Sequence, residues 1–402
     1  MTIVIGTFLK YVSYTSNILE EDNEEVYTLK LFDKELLRLV MKRDVLEGVN
    51  VRILKVNQGM KKYLPPDLEL KNEGVREWLK RRIIPKNRAF VKEILRTLGL
   101  KSGDTKGIID VCKGLSLNDS YWVVPLGFEG RFEDYNLYDN RFSEILSLVA
   151  YTGAGRTQGG ITTSPEFTTH GMLRKAWHKE KDGIYLYKGG TEGASNTGRE
   201  PYSEYYASQI AERMKLKAVH YDLVKWKNIL ASKCKLFTDI NTAYIPIGHI
   251  VRTGGLRECL KYYRGISDEA YEDVKSMLVF DALIYNEDRH FGNFGVLMDS
   301  RTCKMKGAAP IFDNGVSLFN YAMTEDYEHL NEYAETRMPY YGASYEEICG
   351  EVIGERQREE LKRMIGFKFR RHERYNHPER ILKSIERQLA KRVRELLRIH
   401  KR

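Results

Sequence analysis

An α+β fold is the class that this sequence predicts, from three patterns. Short β-rich runs occupy the first 60 residues and recur near residues 184–238, apolar residues sit at helical spacing over Asp268–Tyr285, and a second helical stripe lies close to the C-terminus. In order, Thr2–Val12, Glu25–Leu31 and Val51–Val56 read as strands and Lys34–Arg43 as a helix. From Glu73 the spacing turns helical, with Gly74–Ile84, then Asn87–Leu98 after a break at Pro85, then Thr105–Cys112. Short helices flanking Gly99 admit a helix-turn-helix reading, although most such pairs are packing units of a scaffold or regulatory domain. Ser116–Arg141, rich in aromatic and Asp/Asn residues, reads as a packed, loop-rich connector. Asp182-Gly183 is a hairpin turn before the strand Ile184–Lys188. Pro201–Met214 is a helix, and Ala218–Leu223 and Cys234–Thr238 are further strands. Beyond Asp268–Tyr285, Asn293–Met298 and Ala308–Phe312 form a hairpin around Asp299–Lys306.

Composition narrows the class of function. The chain has 42% hydrophobic residues and 11% aromatics, enough for two or three cores. Its apolar runs fall well short of the roughly 20 residues that cross a bilayer. Met1–Leu9 lacks the pattern of a secretory leader, so no membrane contact and a cytoplasmic location are expected. Five scattered cysteines without a Cys-x-x-Cys pair read as reduced thiols, neither a zinc site nor a disulfide frame. The net charge is +9, and Arg370–Arg402 carries 12 Lys/Arg against 4 Asp/Glu, or +8 of it. A basic tail can meet nucleic acid or an acidic partner. Leu382, Ile385, Leu389, Val393 and Leu396, however, recur at helical steps, which predicts a docked terminal helix with a basic outer face.

The most informative segment is Asp281-Ala-Leu-Ile-Tyr-Asn-Glu-Asp288-Arg-His290-Phe-Gly-Asn293, followed by Ile311-Phe-Asp313-Asn-Gly315. An Asp five residues before an Asn on a tight turn can take a proton from an attacking hydroxyl while the Asn oxygen holds Mg²⁺. A second Asp from a neighbouring strand holds the metals that bridge the ATP phosphates. Asp288, Asn293 and Asp313 fit these roles. Arg289 reads as an ordinary surface or brace residue, and His290 equally as a phosphate-side contact or a structural hydrogen-bond post.

From about Gly171 to Gly315 the chain resembles the HipA-like kinases, bacterial Ser/Thr protein kinases often found in toxin-antitoxin modules; the Asp288-Arg-His-x-x-Asn293 wording is also that of phosphatidylinositol kinases. The resemblance implies a two-lobed protein-kinase-like fold, with a β-rich small lobe over 151–240 and a helical catalytic lobe over 241–402. Residues 1–150 then form an extra N-terminal α/β domain plus connector. It also implies ATP and Mg²⁺ as cofactors, a protein substrate with a Ser/Thr acceptor, and an antitoxin-like partner.

Within that frame Gly171 and Lys175 match the Gly-x-x-x-Lys of the loop that covers the ATP phosphates, and Lys188 stands where a lysine grips the α/β phosphates. The alternative for Lys188 is an edge-strand lysine facing water. Glu204, in the first turn of its helix, is placed to pair with Lys188; Glu200 is the rival. Leu236, Phe237 and Thr238 occupy the adenine hinge by position, with Phe237 chosen. Ser164, Thr168 and Thr169 are hydroxyls available for autophosphorylation, a habit of the resembled family. The expected activity is thus a HipA-like Ser/Thr kinase, against a catalytically silent kinase-like scaffold binding a protein or DNA partner, or a lipid kinase.

Overall fold

The computed structural model describes residues 24–44, 48–154, 163–194 and 196–400. β1 (Val26–Leu31) turns at Phe32-Asp33 into β2 (Lys34–Lys42), pairing Val26 with Val40 and Leu29 with Leu37. Lys34–Arg43 is therefore a strand and not the expected helix. Its Glu, Leu, Arg, Met and Lys residues are good helix formers. The two-residue turn nonetheless sets it antiparallel to β1, and β3 (Asn50–Val56) covers its other edge. Leu36, Leu37, Leu39, Val40 and Met41 are all buried, on both faces of this internal strand. Tertiary pairing overrides local propensity here. The expected strand Thr2–Val12 lies outside the described residues.

Three short helices follow: α1 (Asn72–Lys80), α2 (Val91–Arg96) and α3 (Thr105–Cys112). α1 buries Val75, Trp78 and Leu79 at helical spacing, and α3 starts where the Asp104 side chain accepts from Gly107 N–H. α2 begins at Val91, not Asn87, because the preceding residues are drawn into turns, with Phe90 at φ +60°. β4 (Tyr121–Pro125) then returns to pair with β1, giving the sheet order β3-β2-β1-β4. Ser116–Arg141 is thus not a mere connector. It completes the first sheet, and Phe128, Phe132 and Tyr135 pack round Trp122.

α4 (Glu144–Thr152) packs on β5 (Lys175–Glu180), the first strand of a second sheet. β5 and β6 (Gly183–Gly189) form the expected hairpin; α5 (Glu200–Met214) covers β7 (Tyr221–Trp226) and β8 (Ile229–Lys235), in the order β5-β6-β8-β7. These last two strands lie later and earlier, respectively, than Ala218–Leu223 and Cys234–Thr238. Their turn is Lys227-Asn228, both left-handed at φ +50° and +63°, and a Lys there hides the hairpin from a search for Gly.

A third sheet, β11-β10-β9, joins β9 (Thr242–Pro246) to β10 (Gly295–Asp299) and β11 (Met305–Ala308). Between them run α6 (Gly255–Ile266) and the long α7 (Asp268–Ile284), capped by Ser267, whose side chain accepts from Ala270 N–H. The chain ends in α8 (Leu330–Glu335), α9 (Tyr345–Val352), α10 (Glu355–Lys362) and α11 (Glu379–Arg398). Leu382, Ile385, Leu389, Val393 and Leu396 of α11 are buried, in the same continuous core that holds the first sheet and α7. No helix among the described residues is long and apolar enough to cross a membrane.

Since α11 is docked by that stripe, Leu389→Ala is expected to cost about 2–5 kcal/mol. A urea titration checks this; an unshifted midpoint would show that the stripe contributes nothing.

Candidate active site

α7 ends at Tyr285, whose left-handed φ of +53° turns the chain sharply into the segment Asn286–Asn293. The turn is stitched by its own polar groups. Asn286 Nδ2 donates to Asp281 Oδ1 (2.9 Å), Asp288 N to Asn286 Oδ1 (3.1 Å) and Asn293 Nδ2 to the Asp288 carbonyl (2.8 Å). The bond from Asn293 occupies its amide nitrogen and leaves the amide oxygen as the group suited to a cation.

Arg289 is 1% exposed, so of its two readings it is the brace and not the surface residue. Its Nε and Nη2 donate to the two oxygens of buried Asp281 (2.9 and 3.0 Å). Nη1 donates to the carbonyls of Asn293 (2.9 Å) and Phe312, and Nη2 also to Asn314 Oδ1 (2.6 Å). All five guanidinium donors are satisfied. One side chain thereby joins the helix end, the Asp288–Asn293 turn and the segment carrying Asp313. The sequence carried a signal for this: Asp281 opens the motif run, eight residues before Arg289 and on the helix that delivers it.

Asp313 follows β11 at φ +55°, in the left-handed region that Asp enters more readily than most side chains. Ala218 bridges to Ile311 just before it, and Tyr221 Oη accepts from Asp313 N–H (3.2 Å). Lys188 reaches both Asp313 and, at 2.8 Å, Glu204 Oε1. The other Glu204 oxygen accepts from Asn314 N–H (2.7 Å), and Glu204 is fully buried. Lys188 is accordingly no water-facing edge lysine. Of the two rival acids, Glu204 meets Lys188, whereas Glu200 accepts from Thr191 and Tyr321.

Lys175 and Lys188 are direct cross-strand partners and so share one face of the sheet. Burial, together with Lys188, pushes the Lys175 ammonium down to about 7; its Nζ donates to the His170 carbonyl (2.9 Å). Gly171 stands at φ +92°, and a side chain there would run into the Lys175 Nζ. Burial pushes the Asp313 carboxyl up, but Lys188 and Lys175 outweigh it and hold the group at about 2. Asp288 is raised by burial and by Asp313, against the pull of His290. The arrangement leaves one strongly anionic carboxylate between two cations and one more basic carboxylate near it.

His290 Nδ1 accepts from Gly292 N–H (3.0 Å), the structural-post reading, with the ring edge-on to Tyr340. Phe237 lies in the crossing from β8 to β9 and packs on Tyr244 and Phe312, beside the Asp313 segment. Ser164 and Thr168 are buried; the Thr169 hydroxyl donates to the Pro165 carbonyl (2.7 Å) and accepts from Trp177 Nε1 (2.9 Å). As the loop stands, Ser164 and Thr168 are closed to a phosphoryl donor and the Thr169 hydroxyl is engaged. Arg88, to which no sequence signal pointed, is buried against Glu166 in the same loop at 2.8 Å.

Among the described residues no group of three or more His, Cys, Asp or Glu side chains is placed to hold a metal alone. The carboxylate of Asp313 with the amide oxygen of Asn293 does fit Mg²⁺, which keeps several waters and takes one or two protein oxygens plus phosphate oxygens.

No protein-family model matches the chain, and no curated protein matches it. Among solved structures, HipA in the Shewanella oneidensis toxin-antitoxin complex of HipA, HipB and its operator DNA matches at a TM-score of 0.54 and 12% identity, over 92% of this chain and 99% of that one. The proinflammatory kinase CtkA of Helicobacter pylori matches at a TM-score of 0.47 and 19% identity, over 57% of this chain and 91% of that one. The first likeness shows the fold: this chain has the kinase-like fold of HipA.

Two outcomes are expected. Arg289→Met strands the buried Asp281 charge and should cost about 3–5 kcal/mol, and Arg289→Lys should not recover it because an ammonium cannot span five acceptors. Thermal melting checks both. A bound phosphate favours charged Lys175, raising its pKa above about 7. If nucleotide phosphate binds beside Lys175, its affinity should be full below about pH 7 and fall as pH rises through the bound value, with proton uptake on binding above about pH 7. Calorimetry in two buffers of different ionisation enthalpy measures that uptake, and identical heats would contradict it.

Proposed function

We propose that the protein is an ATP- and Mg²⁺-dependent Ser/Thr protein kinase of HipA-like type. The observation that carries this reading is the convergence of Lys188, Glu204 and Asp313 with the turn that holds Asp288 and Asn293. Such parts position and neutralise a triphosphate without covalent chemistry of their own. Lys188, steadied by Glu204, meets the α/β phosphates, and Lys175 under the Gly171 loop adds charge near them. Asp313 and Asn293 would hold Mg²⁺, which would supply neutralisation of phosphate charge. Asp288 orients the acceptor hydroxyl and takes its proton as the new O–P bond forms and the bond to the departing ADP breaks. Its raised basicity supports that role. Phe237 borders the adenine side.

The reading extends to partners and location. The HipA match carries an antitoxin and operator DNA in its complex. In this chain Arg380, Arg387, Arg394 and Arg398 form an exposed stripe on α11 with no acidic partner among the described residues, which supports contact with a polyanion. An antitoxin-like partner, nucleic-acid contact and a cytoplasmic setting belong to the same proposal.

Incubating the protein with labelled ATP, Mg²⁺ and a bacterial lysate tests it. Asp288→Asn should lower transfer by about 10²–10⁴-fold with nucleotide binding retained; turnover equal to wild type removes Asp288 from the mechanism. Lys188→Met should mainly weaken the binding of an ATP analogue. Wild-type protein that transfers phosphate to nothing, itself included, favours the silent scaffold.

A further inference from the structure

We propose that Arg88, in the turn between α1 and α2, is a positioning residue for the loop Thr169–Lys175, so that a segment outside the nucleotide-binding sheet sets how that loop meets phosphate. The inference rests on the reading of this loop as the phosphate cover. Surface loops ordinarily hold themselves loosely and vary in shape. This one is gripped at four of its residues by Arg81, Arg88 and Ala89. The Arg88 guanidinium donates to the Thr169 carbonyl at 2.9 Å and to the Lys175 carbonyl at 2.7 Å, which are the two ends of the loop. Its third bond, 2.8 Å to Glu166 Oε2, joins an ion pair whose side chains are both 0% exposed. The other Glu166 oxygen accepts from Trp177 N–H on β5 (2.9 Å). Ala89 N–H donates to the Met172 carbonyl at the loop's middle (2.8 Å), and His170 Nε2 lies 2.8 Å from the Arg81 carbonyl.

A buried ion pair contributes little to stability compared with apolar residues of the same volume, and here the Arg88 Nε is left without a partner. What the pair does supply is geometry. A guanidinium is a flat, rigid fork, so the separation of the two carbonyls it spans is set, and with it the mouth of the loop. Inside that mouth stand Gly171, in its left-handed conformation, and the Lys175 ammonium bonded to the His170 carbonyl. Arg88 touches no substrate in this scheme. It acts through the backbone that presents Gly171 and Lys175.

The test uses the full chain and separates positioning from mere support. Arg88→Met/Glu166→Leu strands no buried charge, although the Thr169 and Lys175 carbonyls and the Trp177 N–H lose their partners, so the melting temperature should fall by less than in Arg88→Met alone. Binding of a non-hydrolysable ATP analogue should nevertheless weaken by about tenfold, the size of one or two lost hydrogen bonds, with KM for ATP rising in parallel and kcat changing less. Amide hydrogen exchange over Thr169–Lys175 should quicken. Arg88→Lys keeps the cation but cannot span both carbonyls, and gives the same readout should the double variant fold poorly. Variants that bind the analogue as wild type does, with loop exchange unchanged, overturn the role of Arg88 alone. Wild-type protein that binds no analogue overturns the nucleotide reading and this role with it.

Discussion

Everything at the centre of this molecule hangs on the buried guanidinium of Arg289. Taking that cation out of water is costly, and only the full set of acceptors around it, both Asp281 oxygens, two carbonyls and the Asn314 amide, offsets the cost. Because the five acceptors come from three separate stretches of chain, satisfying the cation means holding those stretches in one arrangement. The helix end, the Asp288–Asn293 turn and the Asp313 segment cannot shift relative to one another without leaving a donor orphaned. A rigid polar knot beneath the turn thus fixes where Asp288, Asn293 and Asp313 stand relative to one another.

Electrostatics adds a second constraint. Cross-strand pairing puts Lys175 and Lys188 on one face, and their mutual repulsion is relieved unequally. Lys188 has Glu204 and Asp313 for partners and stays charged; Lys175 has a carbonyl and gives up its proton more readily. The result is one lysine held as a cation between two carboxylates and a second lysine, on the same face, whose charge depends on what lies beside it.

The readable parts of this chain are those whose signal is local. The Asp182-Gly183 turn, the apolar spacing of α7 and the stripe of α11 are each set by residues close along the chain, and the structure has them as hairpin turn, helix and docked helix. The spacing of Asp288, Asn293 and Asp313 likewise named groups that the fold brings to neighbouring turns. Misreadings arose where the deciding partner is far away. β2 has helix-forming residues but lies between two strands, and β4 looked like a connector because its pairing partner, β1, is some ninety positions earlier. Lys227-Asn228 took left-handed turn geometry without a glycine to announce it.

By itself, the sequence determined the chemistry on offer: which carboxylates, amides and lysines exist, and which few of them lie close enough along the chain to share a turn. Tertiary structure pairs Lys188 with Glu204, the acid the sequence favoured over Glu200, and it alone decided that Arg289 is interior and that Arg88 spans the loop ahead of β5. The reason is that local geometry constrains residues only over a turn or two. The burial of a charge, by contrast, is settled by whichever distant groups can satisfy it once the core has closed.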